Sequence, residues 1–431
     1  MQENKDSGIT WVGAVPTHWN IKPLYCFFGE RKNKNSLGKE TNLLSLSYGK
    51  IIRKDITTNG GLLPASFNTY NIVEAGDIII RPTDLQNDKR SLRTGYSTEH
   101  GIITSAYIAL KPISDVNGKY MHYLLHAYDV MKVFYNMGNG VRQGLNFDEF
   151  KRLMLCIPPI SEQDAIANFL DEKCGQIDSL TADIQSQIEI LEEYKKSIIT
   201  EAVTKGLNPD VEMKDSGIEW IGMIAEDAEV FRLKFFSYMK GRIGWQGLKS
   251  TDFIDEGPYC VTGTDFQNGK VNWDTCYHVS EKRYRMDANI HINKGDLLMT
   301  KDGTIGKLAI IDELPDKACL NSHLLIIRPL ENKYINKYLY YVMKSHIFST
   351  YYTLLSSGST MDSLSQEKTG NFSIPSYPIH KQKDIVDYLD TKCSEIDAII
   401  SSKKEQLSTL AEYKKSLIYE YVTGKKEVAA A

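Results

Sequence analysis

The chain has 431 residues, of which 42% are hydrophobic and 25% charged, and its formal net charge is −4 at pH 7. This composition is typical of a globular protein of two or three domains, and no apolar run approaches the roughly 18 to 20 residues of a membrane span. The polar N-terminus MQENKDSGIT has no apolar signal segment, so we expect a cytoplasmic protein that does not contact a membrane. The seven scattered cysteines predict reduced thiols, because they form neither CxxC pairs nor zinc-ligand clusters.

The small net charge hides a difference between segments. Residues 20–156 hold 18 basic and 12 acidic side chains, a net charge of +6, and residues 230–373 hold 18 and 15, a net charge of +3. By contrast, residues 157–206 hold 4 basic and 10 acidic side chains, a net charge of −6, and residues 207–229 also have a net charge of −6. Residues 380–427 hold 9 of each and are neutral. The basic segments permit DNA binding without demanding it.

A head motif opens the chain and occurs a second time. Residues 4–28, NKDSGITWVGAVPTHWNIKPLYCFF, share Lys-Asp-Ser-Gly-Ile and a tryptophan with residues 213–236. The second copy lacks the Val-Pro-Thr-His-Trp element, so local packing is expected to differ there.

A variable region follows each head. In the first, residues 43–56 are strand-like, a turn at Ala75-Gly76-Asp77 precedes a β-branched run, and residues 101–113 predict a second buried strand. Residues 119–137 have apolar side chains at helical spacing and end in a glycine-rich loop at 138–144.

The second variable region follows the same plan with almost no sequence identity. Lys294-Gly295-Asp296 matches the first turn, ACLNSHLLIIRPL matches the second strand, YINKYLYYVMKSHIFSTYY matches the helix, and LLSSGSTMDSL matches the glycine loop. Two copies adapted to different targets would have this pattern.

Each variable region leads into a long helix, and this helix is the strongest repeat. Between residues 170–204 and 389–423, at an offset of 219, 17 of 35 positions are identical. A repeat of this period indicates a duplicated domain. Pro158-Pro159 ends the preceding strand, and Ser161 with Asp164 resembles a capping box.

Both helices predict a coiled-coil seam of period 3.5. One predicted series contains Leu170, Ile177, Ile184, Leu191 and Ile198, with its counterpart Leu389, Ile396, Lys403, Leu410 and Leu417. The predicted partner series contains Ile166, Lys173, Leu180, Gln187 and Tyr194, with its counterpart Ile385, Lys392, Ile399, Gln406 and Tyr413. The lysines and glutamines either fix the register or extend their side chains past the seam edge.

The shared seam favours pairing of the two helices with each other over pairing with another chain. About 40 residues make a rod on the order of 60 Å long. Since each variable region enters its helix at the N-terminal end, antiparallel pairing would separate the two regions with pseudo-two-fold symmetry.

Catalytic motifs are lacking in this sequence. There is no GxSxG or HExxH motif and no metal-ligand spacing among the nine histidines. Gly303-Thr304-Ile305-Gly306-Lys307 has too few residues between its glycines for a phosphate-binding loop. We therefore expect a non-catalytic recognition or scaffold protein without a metal site.

These motifs together resemble the specificity subunit of type I restriction–modification enzymes. The resemblance covers residues 4–425 and rests on the WxG heads, the Gly-Asp turns, the Ile-Pro-Pro-Ile-Ser-Glu-Gln entry to the helix and the doubled Leu-x-Glu-Tyr-Lys-Lys-Ser pattern. It implies an α+β fold, in which two globular α/β target-recognition domains are joined and spaced by two long helices that form an antiparallel coiled coil.

The resemblance also implies domain limits. They are a first target-recognition domain at 1–156, a spacer helix at 157–206, a second head and recognition domain at 207–373, a second spacer helix at 374–425 and a tail at 426–431.

The function that the resemblance implies is sequence-specific binding of an interrupted, asymmetric DNA target, one half for each domain. The helices would dock two methyltransferase subunits, which bind S-adenosylmethionine, and a translocase–nuclease restriction subunit would complete the complex. No cofactor is expected in this chain itself.

We expect polar and basic residues near glycines to contact DNA, with Arg and Gln suited to bases and Lys to phosphates. In the first region these are Ser47, Tyr48, Lys50, Arg53, Lys89, Arg90, Arg93, Arg142, Gln143 and Asn146. In the second they are Thr264, Asp265, Asn268, Lys301, Asp302, Thr304, Lys307, Ser359 and Thr360.

Two alternatives belong to other classes. One is a coiled-coil scaffold that does not bind DNA, and the other is the specificity fragment of a single-chain restriction–methyltransferase. Binding to duplex DNA at graded salt separates the scaffold from a DNA reader, because counterion release makes DNA affinity fall steeply as salt rises.

Overall fold

The computed structural model describes residues 3–57, 64, 66–85, 92–137, 144–242, 248–356 and 363–428. The chain divides into two compact units: the first unit is residues 1–185 with 404–431, and the second unit is residues 186–403. Each unit combines one globular region with segments of both long helices. Within the described ranges, no helix is long and apolar enough to cross a membrane.

Up to the end of the first long helix, the described residues form twelve strands and three α-helices. The strands are β1 Asn4–Asp6, β2 Ala14–Pro16, β3 Asn20–Pro23, β4 Phe28–Glu30, β5 Leu43–Ser47, β6 Lys50–Lys54, β7 Asn71–Val73, β8 Ile78–Ile80, β9 Thr94–Tyr96, β10 Gly101–Ile103, β11 Ile108–Pro112 and β12 Met154–Ile157. The helices are α1 Gly118–Val130, α2 Phe147–Phe150 and α3 Ile160–Lys205.

The elements after the first long helix repeat this plan with additions. The strands are β13 Met213–Asp215, β14 Met223–Ala225, β15 Glu229–Arg232, β16 Ser237–Lys240, β17 Phe253–Val261, β18 Phe266–Gln267, β19 Lys270–Val271, β20 Tyr277–Val279, β21 Leu297–Thr300, β22 Leu308–Ile310, β23 Ala318–Leu320, β24 Leu324–Pro329 and β25 Ser373–Ser376. The helices are α4 Leu233–Phe236, α5 Glu281–Arg285, α6 Asn336–Lys344, α7 His346–Ser356, α8 Gln366–Asn371 and α9 Ile379–Val422.

The main sheets of the two units follow the same plan, although the second sheet has four strands in the first unit and three in the second. In the first unit, β4-β11-β8-β9 form one antiparallel sheet, and β6-β5-β10-β7 form a second in which β5 and β10 run parallel. In the second unit, β16-β24-β21-β22 correspond to the former, and β20-β17-β23 include the parallel pair β17 and β23. The predicted internal duplication is therefore present in the topology.

The Gly-Asp turn begins the central strand in both units for the same reason. Gly76 and Gly295 have φ of 95° and 89°, a region that glycine enters without steric cost. The aspartate after each glycine is 1% exposed and meets an arginine. Asp77 accepts two hydrogen bonds from Arg31, at 2.5 and 3.0 Å, and Asp296 accepts two from Arg328, both at 2.7 Å.

Each globular region packs against the N-terminal end of the helix that follows it and the C-terminal end of the other long helix. In the first unit, the Tyr120 hydroxyl donates to the carbonyl oxygens of Cys156 and Val422 at 2.9 and 3.2 Å. In the second, the Tyr338 hydroxyl donates to those of Pro375 and Val203, both at 3.2 Å. Within each unit the two helical segments therefore run antiparallel, as predicted.

The predicted seam is half right. The series that starts at Leu170 and its counterpart from Leu389 are buried or half-buried throughout. The predicted partner series is wrong by one residue, because Leu180 and Tyr194 are 47% and 57% exposed. The side chains that face inward beside the first series are Ala167, Cys174, Thr181, Ile188, Lys195 and Ala202, with the counterparts Val386, Cys393, Ile400, Leu407, Lys414 and Tyr421.

The physical reason for the error is that period 3.5 fits a partner series on either side of the first. Ile166 and Ile385 are also buried, because the start of each long helix packs within its globular core. Their apolar character therefore supported the incorrect partner series. Lys173 is therefore not one of the inward-facing residues, and Gln187 lies at the edge of the seam, where its side-chain oxygen accepts a hydrogen bond from the Lys403 amine at 2.5 Å. The lysines of the seam are Lys195, Lys414 and Lys403.

Four smaller expectations change. In each unit, the segment predicted as one second strand forms two strands, β10 and β11 in the first unit and β23 and β24 in the second. The predicted helix at 334–352 is broken at Ser345, whose hydroxyl donates to the Val342 carbonyl at 2.6 Å. The helix predicted at 119–137 ends at Val130, and Lys132 then takes a left-handed conformation with φ of 63°. α3 begins at Ile160, so Ser161 lies inside its first turn.

The glutamine of the helix-entry motif has a role that the sequence did not predict. Gln163 is buried, donates to the Pro158 carbonyl at 2.9 Å and accepts from the Asn117 amide at 3.0 Å. Gln382 repeats this, donating to the Tyr377 carbonyl at 2.7 Å and accepting from the Ile335 amide at 3.0 Å. In each unit this glutamine side chain links the start of the long helix to the start of a shorter helix, α1 in the first unit and α6 in the second, by hydrogen bonds.

Candidate nucleic-acid interface

The β5–β6 hairpin presents the first group of predicted DNA contacts. Tyr48 and Gly49 form its two-residue turn with φ of 47° and 78°, as type I′ hairpin turns require. The turn projects Tyr48, which is 89% exposed. Ser47 is half-buried, and Lys50 is exposed with its amine 3.8 Å from the Asp178 carboxylate.

Arg53 lies on the same hairpin and is also exposed. Its guanidinium donates to the Glu99 carboxylate at 2.6 Å, and this hydrogen bond holds the pKa of Glu99 below its usual range. An exposed ion pair of this kind contributes little to stability. Glu99 therefore holds the Arg53 side chain only weakly.

Arg93 is not a surface residue, which counts against its predicted role as a DNA contact. Its side chain is fully buried, donates to the carbonyl oxygens of Thr83 and Asp84 at 2.6 and 3.0 Å, and lies over the Tyr135 ring. The guanidinium thus holds the chain after β8 in place. Residue type and a nearby glycine could not distinguish this role from DNA contact.

Asn146 is exposed, but its side chain is occupied locally. It accepts a hydrogen bond from the Glu149 amide at 3.0 Å, and the Glu149 carboxylate accepts from the Asn146 amide at 3.2 Å. This reciprocal pair is a capping box at the start of α2. Its first role is to begin that helix.

A cavity of about 630 Å³ lies beside the hairpin within the first unit. Tyr48 and Lys50 line it, together with His122 and His126 of α1. Burial lowers the pKa of His122 to about 3 and that of His126 to about 4. Both rings are consequently neutral at physiological pH.

In the second unit, four predicted contacts converge on one cavity of about 310 Å³. They are Thr264, Asp302, Thr304 and Lys307. Six further residues line the cavity and were not predicted from the sequence, among them Tyr277, Asn321 and His323. His323 Nδ1 is hydrogen-bonded to the Asp302 carboxylate.

The fold explains why distant segments meet at this cavity. β17 and β23 are parallel neighbours, paired at Val261 and Leu320, so the residues that follow them lie at the same edge. The loop between β21 and β22 joins them there, because the Lys301 amide donates to the His323 carbonyl at 2.9 Å. The position of Asn321 and His323 after a buried strand was the available sequence signal.

Three other predicted residues of the second unit lie outside this cavity lining. Asp265 is 1% exposed and accepts hydrogen bonds from the Thr262 amide at 2.8 Å and the Thr275 hydroxyl at 3.0 Å. It stabilises its own turn, which counts against its predicted role as a DNA contact. Asn268 is exposed in the β18–β19 turn with φ of 50°, and Lys301 is half-buried.

Six predicted contacts lie outside the described residues: Lys89, Arg90, Arg142, Gln143, Ser359 and Thr360. Within the described part of the chain, no group of three or more His, Cys, Asp or Glu side chains could hold a metal ion.

Two globular regions with one topology and different exposed side chains, each continuous with a long helix, define a duplicated recognition protein. The family model for the type I restriction modification DNA specificity domain matches the chain twice, at residues 30–190 and 226–409. The chain belongs to this family.

The chain is similar to two curated proteins of Methanocaldococcus jannaschii. It is 26% identical to the putative type I restriction enzyme MjaX specificity subunit, over 97% of this chain and 96% of that protein. It is 24% identical to the type I restriction enzyme MjaVIII specificity subunit, over 76% and 75% of the two chains.

The fold is also similar to a solved structure from work on complex assembly and conformational transition of the type I R-M system. The TM-score is 0.69 at 14% identity, over 96% of this chain and 99% of that chain. At this identity the likeness concerns the fold alone.

Proposed function

We propose that this chain is the DNA-specificity subunit of a type I restriction–modification enzyme and that each globular region reads one half of an interrupted, asymmetric target. The observation that carries the proposal is the double match to the specificity domain, at residues 30–190 and 226–409, on two copies of one scaffold. Different exposed side chains on a common scaffold suit two different half-sites.

In the first unit the proposed DNA contacts are Tyr48, Lys50 and Arg53 of the β5–β6 hairpin. In the second they are Thr264, Asp302, Thr304 and Lys307 of the cavity beyond β17, β21 and β23. These groups combine hydrogen-bond donors, acceptors and an aromatic ring, the means by which side chains read base edges and contact phosphates.

We propose that the chain itself catalyses no reaction. The methyltransferase subunits would bind S-adenosylmethionine and methylate adenine, and a restriction subunit would translocate and cleave DNA. This chain would determine where they act.

The long helices supply a pair of equivalent surfaces on which two copies of one methyltransferase subunit would dock. Leu180 and Tyr413 in the first unit are 47% and 55% exposed, and their counterparts Ile399 and Tyr194 in the second are 48% and 57% exposed. Large apolar side chains in repeated, solvent-facing positions are a feature of binding sites, and the repetition favours two identical partners.

The proposal is tested by mapping methylated adenines in DNA from cells that carry the partner methyltransferase with and without this chain. We expect methylation at one bipartite sequence only when the chain is present. Replacing residues 29–156 by the corresponding region of a related chain should change one half of that sequence and leave the other unchanged. Methylation that does not depend on the chain would contradict the proposal.

A binding experiment separates this function from a scaffold that ignores DNA. The complex of the chain with its methyltransferase is titrated with duplex DNA at rising salt. A DNA reader loses affinity linearly in the logarithm of salt concentration, because it releases counterions from the phosphates. Negligible binding at every salt concentration would contradict the proposal.

A further inference from the structure

We infer that the cavity beyond β17, β21 and β23 reads a G·C base pair through Asp302 and Lys307. This inference rests on the proposed function and adds the base pair that the second unit selects. The cavity brings one carboxylate, one amine and several hydroxyl groups to the same edge of the fold.

The carboxylate of Asp302 is held in place from several sides. It is 28% exposed and is hydrogen-bonded to His323 Nδ1. The backbone of Asp302 forms a bridge with Ser363, and the Leu364 amide donates to the Lys301 carbonyl at 2.6 Å. A group fixed before binding loses less conformational entropy when it meets its ligand.

The loop that bears Lys307 is also held in place. The Lys307 amide donates to the Thr300 hydroxyl at 2.9 Å, and the Gly306 amide donates to the Thr300 carbonyl at 2.9 Å. Gly303 and Gly306 have φ of 68° and 81°, which permits the tight return of the chain. The exposed Lys307 side chain therefore starts from a defined backbone position.

A carboxylate inside the cavity argues against phosphate as its ligand. Asp302 can only accept hydrogen bonds when ionised, and it would repel a phosphate. A base edge, by contrast, offers both acceptors and an exocyclic amino donor. The combination of Asp302 with Lys307 therefore favours a base pair over the backbone.

The order of groups in the major groove favours G·C over A·T. Guanine presents the adjacent acceptors N7 and O6, which suit Lys, and cytosine presents the N4 amino donor, which suits Asp. In A·T the adenine N6 donor lies between two acceptors, adenine N7 and thymine O4. A carboxylate at N6 would face repulsion from both sides, whereas at cytosine N4 it has an acceptor on one side only.

The test uses the whole chain in complex with its methyltransferase. After the target is mapped, binding is measured on duplexes that carry every single base-pair change, for the wild-type chain and for Asp302→Asn. The substitution keeps the shape of the side chain and removes its charge. We expect discrimination to fall by roughly 5- to 100-fold at one G·C position, with all other positions unchanged.

Asp312→Asn is the matched control. Asp312 is in the same unit, pairs with Lys270 at 2.9 Å and does not line the cavity. This variant should keep wild-type discrimination at every position. Lys307→Gln is the second test, and it should relax the same position as Asp302→Asn even if that variant folds poorly.

Three results would overturn the inference. They are relaxation at an A·T position, an equal loss of affinity for every duplex, or unchanged discrimination in both cavity variants. If the wild-type chain directs no sequence-specific methylation, the proposed function fails as well. If it does and the cavity variants discriminate like wild type, only the inference fails.

Discussion

Lys195 lies against Asp397, with its amine 2.6 and 2.7 Å from the two carboxylate oxygens. The same pair recurs in the first unit, where the Lys414 amine is 2.5 Å from the Asp178 carboxylate. Lys195 and Lys414 are 219 positions apart, as are Asp178 and Asp397. Each lysine occupies a seam position, so the pair records the antiparallel alignment of the helical segments in its own unit.

The first prediction concerns this pair. Lys195→Glu places two carboxylates together and should lower the free energy of unfolding by about 1 kcal/mol, since the pair is partly exposed. The double variant Lys195→Glu/Asp397→Lys should recover most of the loss. The measurement is the urea midpoint of each variant at low and at high salt. The difference in midpoint between the wild type and Lys195→Glu should shrink as salt rises.

The equivalent substitutions in the other unit, Lys414→Glu and Asp178→Lys, provide the control. Lys414→Glu should lose stability in the same way, whereas Asp178→Lys should recover less of the loss, because Asp178 also lies 3.8 Å from the Lys50 amine. A double variant no more stable than the single one would show that the two side chains do not interact.

The second prediction tests the corrected seam. Ile188 is 2% exposed and Leu180 is 47% exposed. Ile188→Ala should therefore cost about 2 to 4 kcal/mol through lost burial and a residual cavity. Leu180→Ala, the same kind of truncation on the other side, should change stability by less than about 0.5 kcal/mol. Equal losses would contradict the register that the structure defines.

The duplication, the antiparallel pairing and the Gly-Asp turns could be predicted from the sequence because they depend on periodicity and on local backbone rules. The seam partner could not be fixed by periodicity alone. The corrected series has Cys174, Ile188 and Ile400 where the predicted series has Lys173, Gln187 and Ile399. The lysine and glutamine of the predicted series were the sequence signal that separated the two.

The candidate site was harder to predict, because the sequence does not give burial or long-range proximity. Arg93 and Asp265 have the side chains of DNA contacts, yet both are enclosed by the protein. His323 joins the cavity of the second unit only because β23 lies parallel to β17. The position of His323 thus depends on the pairing of Val261 with Leu320, which are far apart in the sequence.

The third prediction concerns acid sensitivity of the first unit. The pKa values of His122 and His126 in the folded chain are about 3 and about 4, chiefly because of burial, whereas an unfolded histidine has a pKa near 6.5. Below that pH the unfolded chain binds protons that the folded chain does not. The free energy of unfolding should be highest above pH 6.5 and fall as the pH drops towards 4.

Asp129 acts in the opposite direction, since burial raises its pKa to about 6 and favours the folded state as the pH falls through 6. The histidine contribution is therefore measured as a difference. Urea midpoints from pH 7.5 to 4.5 are compared for wild type and for His122→Gln/His126→Gln. The variant should lose less stability over this range. Parallel curves would contradict neutral, buried histidines.

The fourth prediction concerns docking of the methyltransferase subunits. Tyr413 in the first unit and Tyr194 in the second occupy equivalent exposed positions on the long helices, and exposed aromatic side chains often carry much of the binding energy of an interface. Tyr413→Glu should weaken binding of one methyltransferase copy by about 2 kcal/mol or more, and Tyr194→Glu should weaken binding of the other. The double variant should weaken both.

Native mass spectrometry of the purified complexes counts the bound copies. We expect two copies on the wild-type chain, predominantly one on each single variant, and predominantly none on the double variant. Tyr25→Glu is the control, because Tyr25 is 52% exposed but lies in the globular region of the first unit, before β4. If that variant lost a copy while Tyr413→Glu kept two, the docking surface would lie on the globular region, and the helices would not be the site where the partners bind.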